Sequence, residues 1–221
     1  MALPSHTQSS ISSSSSSSYG FTYNVFLSFR GIDTRYGFTG NLYRALCDKG
    51  IHTFIDDREL QGGDEITPSL FKAIEESRIF IPILSINYAS SSFCLDELVH
   101  IIHCFKESGR LVLPIFYDLD PSHVRHQDGS YGKALAEHIE KFKNNKDSME
   151  RFQKWKSALT QTANFSGHHF NPRYPTSLMF YILTYITFPY NFLFSNCFIL
   201  QLKLEILILF LTSVSYLYAY N

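Results

Sequence analysis

Little in this 221-residue chain points to the commonest function classes. It has 19 Lys and Arg against 20 Asp and Glu, a formal net charge of -1, so no excess of either sign would draw it to nucleic acid or an anionic membrane. Cysteine is scarce: Cys47, Cys94, Cys104 and Cys197 stand far apart, with no CxxC pair and no ladder. Free thiols in a reducing, cytoplasmic compartment are the simplest reading of that spacing. The pattern GxxxxGK[ST] is absent, which excludes P-loop phosphate chemistry. There is no internal repeat. The first twenty residues lack an apolar run of signal-peptide length and carry polyserine from Ser12 to Ser18. Residues 1–21 therefore read as a disordered leader, neither secreted nor inserted.

Between Tyr23 and Phe170 short apolar runs alternate with helical patterns. YNVFLSF, IHTFI, IFIPILS and LVLPIFY predict four strands, nearly continuous in apolar residues, as strands buried on both faces of a parallel sheet are. Helices are expected at Phe38–Lys49, Thr67–Ser77, Ser91–Phe105, Ser130–Phe142 and Met149–Ala163. GHHF (Gly167–Phe170) predicts a small fifth edge strand. The order predicts one doubly wound α/β domain over residues 22–170, with a parallel sheet of four to five strands.

The most telling stretch is SSFCLDELVHIIHCF (Ser91–Phe105). Leu95, Leu98, Ile102 and Phe105 form an apolar helical stripe, and Glu97 falls on its shoulder near Cys94 and Ile101. An acid just past the C-terminal end of a buried strand is where open α/β folds place ligand chemistry, though an ordinary boundary carboxylate fits the position too. Glu97, His100 and His103, and separately His123 and His126, are ligand-type residues at helical spacing. The first three drift around the helix and lack a partner set, so solvated histidines are expected and no metal site.

Four segments keep the order and spacing of a known family: YNVFLSFRGIDTR (Tyr23–Arg35), GIHTFIDDRELQGGDEI (Gly50–Ile66), AIEESRIFIPILSINYASSSFCLDELVHI (Ala73–Ile101) and VLPIFYDLDPSHVRHQDGSYGKAL (Val112–Leu135). They resemble a plant-type Toll/interleukin receptor (TIR) domain over about two-thirds of the chain. The resemblance implies a flavodoxin-like fold and a plant defence role. It implies that Glu97, in the family's S-x-W-C-L-x-E-L motif, is the catalytic residue of an NAD(+) nucleosidase acting on NAD(+) or NADP(+) as substrate, with no cofactor. It also places Arg30 and Gly31 in the dinucleotide pocket; a surface ion pair and a tight turn are the alternatives. Phe93 stands where the family has a nucleotide-packing Trp, and Gly62 and Gly63 lie in the loop that closes over the pocket and contacts a neighbouring subunit.

The chain departs from the family in three places. Gly40 and Asn41 replace a Ser-His pair at a self-association face, Ile32 replaces an acid, and the charged final helix is missing after GHHF. In its place is an apolar tail, residues 171–221, whose only charges after Ser177 are Lys203 and Glu205. Three readings of it stand. Residues 178–220 could anchor the protein in a bilayer of ~30 Å, although Pro189 and several polar groups weaken the span 178–202, and 206–220 is shorter than a span needs. Part of the tail could pack where the last helix belongs. Or it is a translated intron or premature end without a selected structure, the reading favoured by the abrupt change in composition. Two functional classes follow: an NAD-cleaving enzyme active on self-association, or a non-catalytic adaptor or decoy that joins other TIR domains.

Overall fold

The computed structural model describes residues 20–56, 68–142, 145–170, 182–184 and 186. The chain order is β1 (Tyr23–Phe29), α1 (Gly31–Thr34), a π-helical turn (Arg35–Thr39), α2 (Gly40–Asp48), β2 (Thr53–Ile55), α3 (Pro68–Glu75) and β3 (Ser77–Leu84). A 3-10 turn (Tyr88–Ser90) then leads into α4 (Ser92–Ser108), β4 (Leu111–Val112), β5 (Ile115–Tyr117), α5 (Pro121–His126), α6 (Gly129–Phe142), α7 (Lys146–Asn164) and β6 (His168–Phe170). Every strand pairing is parallel. The strands lie in the order β2-β1-β3-β5-β6, with β4 also on β3, a flavodoxin-like arrangement.

The expected fourth strand is split. Leu113 donates its N–H to Phe80 O at 2.8 Å, but Pro114 has no N–H to give, and pairing resumes only at Ile115. The expected edge strand is present. Its entry depends on Gly167, where a Cβ would come within 2.6 Å of the Phe116 ring and 2.8 Å of Pro114 O. Sequence periodicity did not give α1 or α5, both under two turns long, and the expected helix at Phe38 starts instead at Gly40, behind the π-helical turn.

Strand alternation sorts the core onto two faces. Val25, Leu27 and Phe29 of β1 join Ile79, Ile81 and Ile83 of β3 under Leu42 and Leu46 of α2. On the other face Phe26 and Phe80 meet α3 and α4, and Leu84 and Phe116 meet α4, α6 and α7. The first face also takes residues of the tail. Ile182 is 1% exposed within this cluster, and Leu183 and Ile186 pack against it. Ile182, Leu183 and Ile186 thus lie against the domain, and burying one such isoleucine is worth ~1.5–3 kcal/mol. Among the described residues no helix is long and apolar enough to cross a membrane, and residues 187–221 lie outside them.

Candidate functional site

In a sheet of this order the crevice opens at the carboxyl ends of β1 and β3, where the connections leave in opposite directions. Ser28 and Phe29 end β1, Leu84 ends β3, and the helix after β3 brings Glu97 against them. Ser91 caps that helix by accepting from Cys94 N at 3.3 Å, which fixes where its first turn begins. Glu97, in its second turn, is 2% exposed and accepts a hydrogen bond from Ser28 Oγ at 2.7 Å.

A short hydroxyl chain continues from that contact. Ser28 Oγ lies 2.8 Å from the Tyr88 hydroxyl, which donates to Cys94 O at 2.9 Å. Burial, then the neighbouring Cys94 and Glu97, drives the Tyr88 phenol far above its ordinary range. Burial, then Glu97, likewise pushes up the Cys94 thiol, which donates weakly to Phe29 O at 3.6 Å. A thiol so held is no nucleophile at neutral pH. Tyr131 is also buried, its pKa raised first by burial, and donates to Ser85 O at 2.9 Å.

The loops around the crevice are clamped together. Arg30 donates to Asn87 O at 2.8 Å and to Ser90 Oγ, while Asp33 accepts from Ser85 Oγ and, at 3.3 Å, from Asn87 Nδ2. Arg30 is therefore at the mouth of the crevice, its guanidinium engaged with the loop after β3. Gly31 opens α1 with no positive φ, and a Cβ there would meet only the flexible Arg35 side chain at 3.3 Å; it is not a tight-turn glycine.

The other expected residues fall elsewhere. Phe93 is 6% exposed and packs among Phe26, Leu70, Ile74, Phe80 and Ile101, so in this structure its ring fills the core instead of facing the crevice. Gly62 and Gly63 lie outside the described residues. His100 pairs with Glu75 at 3.2 Å and His103 with Glu107 at 3.4 Å, while His123 contacts Asp128; among the described residues no cluster could hold a metal ion. Periodicity also passed over Ser28, Asp33 and Tyr88. The one usable signal was a serine interrupting the apolar stretch VFLSF of that first run. A groove of about 290 Å³ between α4 and α7, lined by Asp96, Arg151 and Trp155 among others, does not include Glu97.

What this arrangement offers chemically is one carboxyl, nearly dry, at strand ends, with Arg30 engaged on the loop after β3. Comparison with known proteins gives it a context. The profile of the family described as TIR domain matches residues 22–187. The chain is 55% identical over 148 residues to the disease resistance protein RPV1 of Vitis rotundifolia, covering 67% of this chain and 10% of that protein. It is 53% identical over 154 residues to the TMV resistance protein N of Nicotiana glutinosa, covering 70% and 13% respectively. The chain therefore spans only about a tenth of the length of these relatives. Among solved structures, the TIR domains of the activated Roq1 resistosome, which directly recognizes the pathogen effector XopQ, align with a TM-score of 0.65 and 45% identity. That alignment covers 75% of this chain and 99% of the other.

Proposed function

The chain belongs to the TIR domain family, and from that premise we propose that it is an immune-signalling domain that hydrolyses NAD(+) when self-associated. The observation that carries this reading is Glu97: a carboxyl 2% exposed, held at the carboxyl ends of β1 and β3, in the family's glutamate position. The reaction asks for little else. The bond between ribose C1′ and the nicotinamide nitrogen breaks, and its electron pair neutralises the pyridinium, so the leaving group needs no acid. Water adds at C1′ and releases a proton, giving nicotinamide and ADP-ribose. Meanwhile a carboxylate stabilises the oxocarbenium-like ribose. Arg30 at the crevice mouth suits the pyrophosphate of NAD(+) or NADP(+). Buried thiols at Cys94 and Cys104 suit a cytoplasmic setting, and the likeness to resistosome TIR domains supports activity in an assembly.

The test is NAD(+) consumption by the purified chain over a concentration series. Glu97→Ala and Glu97→Gln should lower turnover on the order of 10²-fold or more while the fold persists. Specific activity should rise with protein concentration, because only associated chains are competent. Unchanged turnover in either folded variant overturns the assignment.

A second reading, association without catalysis, draws on Gly40. A Cβ at that position would meet Arg35 O at 2.5 Å, so the turn before α2 takes a shape that a serine, the family's residue, does not fit. This alters one face expected to pair with other TIR domains. An adaptor would co-purify with a partner TIR domain and leave NAD(+) intact at every concentration.

A further inference from the structure

Residues 85–90 run from the end of β3 to the mouth of the crevice, and the segment is tied on two sides. On the crevice side Asn87 O and Ser90 Oγ accept from Arg30, while Asp33 accepts from Ser85 Oγ and Asn87 Nδ2. On the inner side Ser85 O accepts from the Tyr131 hydroxyl at 2.9 Å, and Ala89 O from His138 Nε2 at 3.0 Å. Because a carbonyl can only accept, the tyrosine and the histidine are the donors. Both belong to α6, about two turns apart, so one face of that helix presents both N–H and O–H to the segment. The contacts are dry: Tyr131 and Ala89 are 0% exposed, Ser85 1% and His138 6%. Apolar packing alone would set how close α6 lies. Two hydrogen bonds also set the rotation and register of residues 85–90, because each carbonyl accepts within a limited range of directions.

We propose that Tyr131 and His138 are positioning residues: by fixing residues 85–90 from behind, they set where Arg30 presents its guanidinium to an anionic group of the dinucleotide, a role that rests on the NAD(+) reading above. The tie is separate from the one that seats Glu97. Tyr88 is anchored through Ser28 Oγ at 2.8 Å and Cys94 O at 2.9 Å, and Ser91 caps α4 by accepting from Cys94 N. Losing a tie from α6 therefore weakens the hold on substrate and spares turnover.

Tyr131→Phe keeps the ring, and Ser85 O still accepts from Tyr88 N at 3.1 Å, so the fold should persist. In the full chain this variant should raise KM for NAD(+) about three- to tenfold with kcat within about twofold of the parent. His138→Leu should do the same, and His138→Gln, whose amide still donates, should restore KM. Added to Arg30→Ala, Tyr131→Phe should raise KM no further, because both act through one guanidinium. A role in packing alone would lower stability and move none of these. Hydrogen exchange gives a second measurement without substrate. The amides of Tyr88, Ser90 and Ser91 close the turn on Ser85 O, Asn87 O and Tyr88 O. In Tyr131→Phe they should exchange about three- to tenfold faster, while the amides of β1 do not change. The two His138 variants carry the test if Tyr131→Phe does not fold. Unchanged exchange at these amides in the folded variants, equal acceleration in β1, or a KM effect that adds to that of Arg30→Ala overturns the proposal. A parent chain that leaves NAD(+) intact, with exchange as stated, overturns only the enzymatic reading and leaves α6 as what fixes the segment.

Discussion

Removing the carboxylate of Asp96 tests how α4 is held at the angle that brings Glu97 to Ser28. Asp96 Oδ1 accepts from Arg151 Nε at 2.9 Å and from Trp155 Nε1 at 2.7 Å, and Oδ2 accepts from Arg151 Nη2. These contacts fasten α4 to α7, and their worth is unequal. The Arg151 side chain is 40% exposed, so water replaces much of what it loses and the ion pair is worth ~1 kcal/mol or less. Trp155 is 0% exposed, and an indole N–H left there without an acceptor costs about 1–3 kcal/mol. Asp96→Ala should therefore destabilise by about 2–4 kcal/mol. Asp96→Asn, which keeps an acceptor for Trp155, should cost less, and Arg151→Ala, which also loses a guanidinium 5.0 Å over the Trp155 ring, about 1–2 kcal/mol. Urea unfolding followed by tryptophan fluorescence is well placed to measure this, since Trp155 is the only tryptophan of the chain. An Asp96→Ala stability within ~0.5 kcal/mol of the parent, or an Arg151→Ala cost equal to it, would refute the reasoning.

Phe93→Ala should cost about 3–5 kcal/mol and Phe93→Trp about 1–3, by overpacking; thermal melts that do not move, beside a raised KM, would return Phe93 to the pocket. Ile182→Ala should cost about 2–5 kcal/mol, and an unchanged urea midpoint would mean that the α2 face closes without residue 182. Burial holds His138 below the ordinary histidine value of 6.5, its Nε2 donating to Ala89 O at 3.0 Å, and burial lowers His168 in the same direction. Such a base charges more readily when unfolded, so stability is full above ~6.5, falls as the pH drops toward the folded values and then levels off. Urea midpoints at about pH 7.5 and about pH 5.5 should differ less in His138→Gln than in the parent, and equal differences would exclude His138 as a source.

The sheet was legible because it rests on composition that few other folds share. Four apolar runs without alternation, each followed by a helical pattern, leave a doubly wound parallel sheet as the economical answer. Glu97 was legible for a related reason: an acid on the shoulder of an apolar helical stripe is conspicuous. Phe93 was not, because an aromatic beside a site serves core and ligand with the same ring, and only burial tells them apart. Ser28 and Asp33 come from one segment and Tyr88 from another, and no sequence period links residues 60 or 69 positions apart, as in the contacts of Ser28 with Tyr88 and Glu97. The split at Pro114 was visible in principle, since a proline inside LVLPIFY removes a ladder donor. The packing of Ile182 was not legible, because an apolar run looks alike whether it packs on a domain, enters a bilayer or does neither.

The pairing of Ser28 with Glu97 bears on why the carboxyl is there at all. A core of this size has ample apolar contact around it: Phe26, Leu27 and Phe29 flank Ser28 in β1, and Leu95 and Leu98 flank Glu97 along α4. A buried hydroxyl and a buried carboxyl each cost solvation, and pairing them returns only part of that cost. Replacing such a pair with apolar groups of similar volume is often neutral or stabilising, whereas breaking it by removing one partner is not. The fold consequently has no need of either group for its stability, and the two together are a liability unless something binds there. The liability also sits at one place, the carboxyl ends of β1 and β3, with Arg30 and the loop of residues 85–90 clamped at its mouth. A double replacement, Ser28→Ala with Glu97→Leu, should accordingly leave the urea midpoint unchanged or raised while abolishing NAD(+) cleavage. A large loss of stability in that double variant would instead assign the pair a structural role and remove the argument for chemistry at Glu97.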